Sequence, residues 1–317
     1  MTPTTSLTIL STDEAPMLEA ALAAAVAEGP DEVVVVDNAC TDATSELALR
    51  AGARVLRLER RVPYAAAMNA TIAGSRGDLV AFLQADTFVA PGFLEAARGP
   101  FADPLVGSVA PKLVRALGPR PEDRLEELDT AGMVVDRRRK NGLVGHGAPA
   151  SAYARRAEVF GADGAAAVYR RAALEDVAVD GEVFDVDLER WASDADLAWR
   201  AHVLGWRCVY EPAAVAYHVR AYSPSTRARM SEASRRMQFR NRYLMIAKNE
   251  GRELARDLPL VLGYEVVALG HVLLRERHLL RAYGDAWRRL PAARRRRRAI
   301  QPRRAPRRVR YGLRAPA

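Results

Sequence analysis

Asp37, Asp86 and Asp194 each stand where an apolar run breaks, and carboxylates in such places can do chemistry. Asp37 ends VVVVDN (33–38), Asp86 ends VAFLQAD (80–86), and Asp194 opens the helical pattern SDADLAWR (193–200). A carboxylate at the carboxyl end of a buried strand faces the crevice where open α/β sheets hold their ligands. There Asp37 can accept a hydrogen bond from the imide N–H of a uracil or thymine ring. Asp86 can hold a hard divalent cation, which beside a diphosphate takes only one or two protein carboxylates. Such an ion is a Lewis acid that neutralises a departing diphosphate. Asp194, or Asp196 on the same turn, can take the proton of an acceptor hydroxyl as a general base. His218, near the end of AVAYHV (214–219), becomes a second metal ligand if it meets Asp86.

Plainer roles stay open for each residue. Asp37, Asn38 and Thr41 are all good helix caps, and Asp86 suits a solvated turn. The helix dipole favours Asp194 and Asp196 in a first turn whatever their function. A lone histidine in an apolar run also packs well in a core.

The elements that must position these residues follow from periodicity. LTIL (7–10), VVVV (33–36), ARVLRL (53–58), LVAFL (79–83) and GSVAPKL (107–113) read as strands. Between them, PMLEAALAAAVAEG (16–29), TDATSELALRAG (41–52), PYAAAMNATIAGSRG (63–77) and PGFLEAAR (91–98) read as helices, two of them stopped by Gly29 and Gly52. Continuous apolar strands between helices predict an α/β fold whose parallel sheet is covered on both faces. Residues 114–160, rich in Arg, Gly and Pro, predict long loops and short strands that shape an acceptor pocket. Residues 225–256 read as one or two helices.

Neither G-x-G-x-x-G after a strand nor G-x-x-x-x-G-K-[ST] occurs, so dinucleotide oxidoreduction and P-loop hydrolysis lose support. The ligand must be held by side chains. Cys40 and Cys208 are too far apart in sequence for a metal-spaced pair, and both are expected to be reduced.

Taken in order, these segments resemble the family 2 glycosyltransferases, particularly their bacterial rhamnosyltransferase-like branch. VVVVDNACTDAT (33–44) is similar to the family's V-D-N-x-S-T-D segment, with Cys40 in the Ser place. PYAAAMNATIAGSRGDLVAFLQADTFVAPGFLEAA (63–97), with Asn69 and Asp86, looks like the stretch that ends in the metal motif. FGADGAAAVYRRAALEDV (160–177) and FDVDLERWASDADLAWRAHVLGWRCVYEPAAVAYHV (184–219) match the acceptor and catalytic region. The likeness runs from about Ser6 to Leu290.

The resemblance implies a glycosyltransferase A-type nucleotide-sugar-binding fold, with a mostly parallel central sheet flanked by helices and a C-terminal helical extension. It implies inverting, metal-dependent transfer from a nucleoside-diphosphate sugar donor, first of all rhamnose from dTDP-rhamnose, to a hydroxyl of a cell-envelope or surface glycan. Asp194 would be the catalytic base, and Asp86 with His218 would hold Mg or Mn. Thr12, Asp13, Asp37, Asn38, Asn69, Gln84 and Ala85 would bind the nucleotide-sugar; Asp163 and Trp191 would border the acceptor. Ser193 stands where the family usually has Glu, and Gln84 where it commonly has Asp or Asn, which leaves room for a weak or inactive homologue that only binds nucleotide-sugar or glycan.

The net charge of +9 is unevenly spread: residues 288–317 carry thirteen Arg and no acid, leaving the rest of the chain at −4. The expected organisation is therefore a catalytic domain over 1–255, an amphipathic helical extension over 256–290, and a disordered Arg-rich tail over 291–317. An anionic membrane surface could bind that tail, which suits a lipid-linked glycan acceptor. Nucleic acid is not expected, because the body has no recognised motif for it. No basic segment precedes an apolar core at the N-terminus. The run LPLVLGYEVVALGHVLL (258–274), interrupted by Glu265 and His271, falls short of the roughly 20 residues that span a bilayer. The expected location is cytoplasmic, with peripheral attachment to the inner face of the membrane.

Overall fold

The apolar runs near the N-terminus become the buried half of a sheet in the computed structural model, which describes residues 3–222 and 224–317. In chain order, β1 (Thr5–Ser11), α1 (Ala15–Ala27), β2 (Glu32–Asp37), α2 (Thr44–Arg50), β3 (Arg54–Arg57), α3 (Tyr64–Gly74) and β4 (Leu79–Gln84) alternate strand and helix. β4, β1, β2 and β3 lie side by side and parallel, with Ser11 opposite Asp37 and Leu10 opposite Gln84. That register brings three strand ends to one edge, so the loops that follow them share a crevice.

The chain continues through β5 (Thr87–Val89), α4 (Phe93–Arg98), β6 (Val106–Ala116), β7 (Arg124–Thr130), β8 (Met133–Val135), β9 (Asn141–Leu143) and β10 (Ala157–Val159). After them come β11 (Ala166–Arg170), α5 (Arg171–Val177), α6 (Ser193–Leu204) and β12 (Arg207–His218). β11 inserts antiparallel between β4 and β6, and β12 runs parallel to β6. Short β5 pairs antiparallel with the end of β12, with His218 opposite Thr87. A reading of local periodicity misses this pairing, and it is what places His218 beside Asp86.

Helices cover both faces. α1 and α4 bury Leu18, Leu22 and Phe93 against one face of the sheet; Met68 of α3 and Phe184 pack with Phe82 on the other. A third cluster joins Trp199 of α6 to Phe160, Met245, Ile300 and Val309. It draws in α7 (Glu232–Asn249), α9 (Leu280–Ile300) and the C-terminal segment, while α8 (Leu254–Leu274) lies between the two helices in sequence.

Residues 291–317, expected to be disordered, are folded. α9 runs straight through Pro291, and the chain after it returns along the body. Arg296 pairs with Glu182 and Asp185, Arg303 with Asp176, Arg304 with Glu253, and Arg307 with Glu158. Val309 is buried, and the amide of Gly312 donates to the carbonyl of Val135 at 2.8 Å. The physical reason is charge complementarity: the Arg block meets carboxylates of the mildly acidic body. Arg296, Arg303, Arg304 and Arg307 are thus engaged within the chain.

The apolar run at 258–274 belongs to a helix of 21 residues, about 31 Å long at 1.5 Å per residue. By length and composition it reaches what a membrane span requires, contrary to the shorter reading from sequence.

Fully buried Arg139 locks the helical region to the body. Its guanidinium donates to Glu250 at 2.5 Å and to Asp257 at 2.8 Å, and it lies 3.8 Å over the Tyr311 ring. Removing one partner of a buried ion pair costs about 3–5 kcal/mol, because the other charge is left uncompensated. Arg139→Ala is expected to lower unfolding free energy by about that amount, measured by chemical denaturation; a loss below about 1 kcal/mol would mean that Arg137 and Arg256 already neutralise Asp257.

Candidate functional site

The crevice at the ends of β1, β2 and β4 is bordered by two strained loops, where Asp13 (φ 60°) and Ala39 (φ 52°) adopt left-handed backbone. Asp13 carries Thr41 and Arg61 on its carboxylate, so the loop after β1 is clipped to the loop after β2. Hydrogen bonds from Thr41 and Arg61 hold the Asp13 carboxyl below its usual range. Asn38 donates to the carbonyl of Val62 and accepts from its amide, both at 2.9 Å.

Asp37 is wholly buried, and its oxygens are engaged. It accepts from the Cys40 amide at 2.6 Å, from Ser45, and from Arg57 at 2.5 Å. Burial alone would raise its pKa, but the Ser45 and Cys40 hydrogen bonds and the Arg57 charge outweigh that and hold it low. In this conformation Asp37 caps the turn before α2 rather than offering a free oxygen to a base.

Two other expected contacts are also used internally. Asn69 donates to the carbonyl of Phe184 at 2.8 Å and accepts from its amide at 2.7 Å, tying α3 to the segment ahead of α6. Ala85 is fully buried, with its amide given to the carbonyl of Leu10. The Thr12 backbone acts to lower the pKa of the Glu14 carboxyl.

Around Asp86 the expected residues do meet. Asp86 Oδ1 is buried with no hydrogen-bond donor among the described residues, and it lies 3.6 Å from His218 Nε2. On the other side of the ring, His218 Nδ1 sits 2.8 Å from Asp129 Oδ2. A carboxylate there favours the Nδ1–H tautomer and aims the Nε2 lone pair at Asp86, the arrangement of a metal-ligating histidine with its outer carboxylate. Burial raises the Asp86 pKa, only partly opposed by His218 and Arg220. Glu14 is pushed up to about 7 by burial and by the charge of Asp86. An unsatisfied buried carboxylate oxygen, an imidazole lone pair and a second carboxyl nearby suit a hard divalent cation.

Asp129 also accepts from Arg220 Nε at 2.6 Å, and Arg220 Nη2 lies 3.0 Å from Asp163. Asp163, expected at the acceptor, is thus a buried counter-ion of Arg220 and accepts the Ala165 amide at 2.9 Å. Next along the chain, the amide of Gly164 donates to Asp194 Oδ2 at 3.2 Å, while Ala195 donates to Asp194 Oδ1 at 2.8 Å. The carbonyl of Gly164 accepts from Tyr64 at 3.1 Å and from Gln84 at 3.3 Å. A Cβ here would lie 2.7 Å from the Tyr64 hydroxyl and 3.4 Å from Asp194, so a larger residue would have to push the Tyr64 side chain aside. Asp86 and His218 are therefore joined to Asp194 by one unbroken set of contacts.

Asp194 keeps a solvent-facing edge but is surrounded by protein. Burial and the charge of Asp163 raise its pKa to about 6, against the pull of the Ala195 and Gly164 amides. The loop before it is strained, with Glu189 (φ 62°) and Ala192 (φ 63°) in conformations that side chains disfavour. It carries half-buried Trp191, edge-on to Tyr222 at 6.0 Å, with the Arg190 guanidinium 5.3 Å from the indole. Ser193 spends its hydroxyl on the carbonyl of Arg190.

Sequence reading missed Glu14, Asp129 and Arg220. Asp129 stands one residue before the end of β7, and Arg220 follows His218 by two positions; those were the available signals.

The family model described as glycosyl transferase family 2 matches residues 6–178. A pre-mycofactocin glycosyltransferase of Mycobacterium tuberculosis is 34% identical over 155 residues, which is 49% of this chain and 29% of that protein. The chain thus spans under a third of that curated relative. Among solved structures, S. aureus TarS 1-349 in complex with UDP-GlcNAc superposes with a TM-score of 0.59 at 17% identity, covering 94% of this chain and 90% of that one. The Pyrobaculum calidifontis mannosyltransferase PcManGT, solved with GDP-Man and Mn2+, gives a TM-score of 0.54 at 22% identity, covering 92% and 76%. At such identities the structures establish a shared glycosyltransferase A-like fold. Asp194 and His218 lie beyond the matched segment, so their place in the site comes from geometry. With the family model covering over half of its 317 residues, the chain belongs to glycosyl transferase family 2.

Proposed function

We propose that this chain transfers a sugar from a nucleoside-diphosphate donor to an acceptor hydroxyl with inversion, using Asp194 as the base. The observation that carries this reading is the connected path from Asp86 and His218, through Asp129, Arg220, Asp163 and Gly164, to Asp194. Asp86 and His218 would hold Mg or Mn, which when bound neutralises charge on the departing diphosphate. Single displacement needs one carboxylate free to accept a proton. Asp194 meets that need: near pH 7 it is mostly ionised, yet its pKa of about 6 keeps it basic enough to take a proton. Asp163 is committed to Arg220.

The donor would lie along the strand ends with its base toward Asp13 and Asn38. For Asp37 to accept the imide N–H, Arg57, whose side chain is 54% exposed, would swing aside. Rhamnose from dTDP-rhamnose is the proposed donor, on the sequence resemblance, and a cell-envelope or surface glycan is the proposed acceptor, entering past Trp191. Ser193 favours one rival, a protein that binds donor without turning it over. Calorimetry showing manganese-dependent donor binding, together with no release of nucleoside diphosphate in long incubations, would select that rival.

Asp194→Asn keeps the shape but cannot take a proton. It is expected to reduce kcat by about 10²–10⁴ while leaving donor affinity unchanged; full activity would remove Asp194 from the base role. In the unaltered enzyme, the acidic limb of kcat/KM should fall as pH drops through about 6, because protonation of Asp194 removes the base. Asp129→Asn should weaken manganese binding about 10–100-fold by releasing the His218 ring, as titrated calorimetrically with manganese chloride on protein whose circular dichroism is unchanged.

A further inference from the structure

Helix α8 is inside out in its polarity. Its two acids face the protein: Asp257 is buried against Arg137 and Arg139, and Glu265 accepts from Arg242 and Tyr243. Val261, Ala268 and Val272 pack inward with them, yet a second apolar row faces outward, with Leu258, Leu262, Val266, Val267, Leu273 and Leu274 between 41% and 80% exposed. A helix at a protein–water boundary normally shows the opposite sorting. An exposed apolar stripe of this length marks a surface that something else covers.

The charges around the stripe identify its cover. From Leu254 to Gly284 the acids are Asp257, Glu265 and Glu276, and each turns inward to an arginine partner. The exposed ionisable groups of the same stretch are basic: Arg256, His271, Arg275, Arg277 and Arg281. Arg275 and Arg281 have no ion-pair partner among the described residues. Beyond them Trp287 is 74% exposed, a side chain suited to the boundary between hydrocarbon and headgroup. A second copy would set the same cations against each other without an exposed carboxylate on the face to meet them, whereas anionic lipid headgroups would complement them.

We propose that α8 lies in the headgroup plane of an anionic membrane, its outer face in the acyl boundary and Arg275 and Arg281 on lipid phosphates. The helix is long enough to cross a bilayer, but the Asp257 and Glu265 pairs fasten its inner face to the catalytic body, so it rests on the surface instead. This places the apolar contact with the membrane on α8, while Arg296, Arg303, Arg304 and Arg307 of the Arg-rich tail pair with carboxylates of the body. The inference does not use the glycosyl-transfer reading.

Flotation of the full-length chain tests it, using vesicles of phosphatidylcholine alone and of phosphatidylcholine mixed with phosphatidylglycerol. Neither donor nor acceptor is present, so the result is independent of turnover. The unaltered chain is expected to float with the anionic vesicles and much less with the neutral ones. Val266→Glu with Val267→Glu, and separately Arg275→Glu with Arg281→Glu, should each weaken binding at least about tenfold. These positions are exposed, so the fold is preserved. Equal flotation on both vesicle types, or binding untouched by the two pairs of substitutions, overturns the proposal. So does a chain that ignores vesicles and is a dimer by light scattering, which the valine substitutions convert to monomer; that result assigns the face to a second copy.

Discussion

The buried carboxylate of Asp129 sets the geometry of the whole cleft. It takes a hydrogen bond from each side, from His218 at 2.8 Å and from Arg220 at 2.6 Å, and His146 lies 3.5 Å away. Burial works against its charge, yet these donors more than offset that and hold its pKa well below the ordinary range. An ion buried in this way is tolerated only because every partner is in place, and the partners are fixed in return. One of them points its free nitrogen at Asp86. The other carries the positive charge that engages Asp163, one residue before the glycine that holds Asp194.

The C-terminal helices extend the same logic to Asp194. α6, which begins at Ser193, is anchored by Asp196, whose carboxylate meets Arg200, Lys248 and Asn249 in the interior. Asn241 of α7 donates to the carbonyls of Leu188 and Trp191, both at 2.7 Å, and Arg240 pairs with Glu189. These contacts bracket the loop in which Glu189 and Ala192 take left-handed backbone. Each such residue costs roughly 1–3 kcal/mol unless its surroundings impose it. Here α7 supplies the imposing contacts, so it holds the loop that leads into Asp194.

How far the sequence could be read depended on whether the deciding interaction was local. VVVV and LVAFL are legible as buried strands because four or five apolar residues between turn signals have few other uses. Asp194 is legible as a helix-start acid for the same local reason. The pairing of His218 with Asp86 is not local, since it rests on β12 returning antiparallel to three-residue β5. The fate of the tail was equally hidden. A run such as RRRRR (294–298) looks solvated until its partners are known, and the acids it meets lie far back in the chain, as with Arg296 and Glu182, 114 positions apart. Asn69 and Asp37 show the converse: residue types that suit a ligand are, in this fold, absorbed by backbone groups and by Arg57.

Asp163 and Asp194 are near neighbours in the cleft, and chemistry alone does not say which should take a proton. Their surroundings decide it. Asp163 is almost fully buried and faces Arg220, so its charge is balanced and its oxygens are committed. Asp194 receives two backbone amides but pairs with no cation among the described residues, and it feels Asp163 as an unfavourable neighbour. Pushing a carboxyl up toward working pH by burial and like charge is how a site turns a weak base into a useful one. The same Arg220 that quiets Asp163 also limits how far Asp194 can rise. The acid–base balance of the cleft therefore traces back, through one guanidinium, to Asp129.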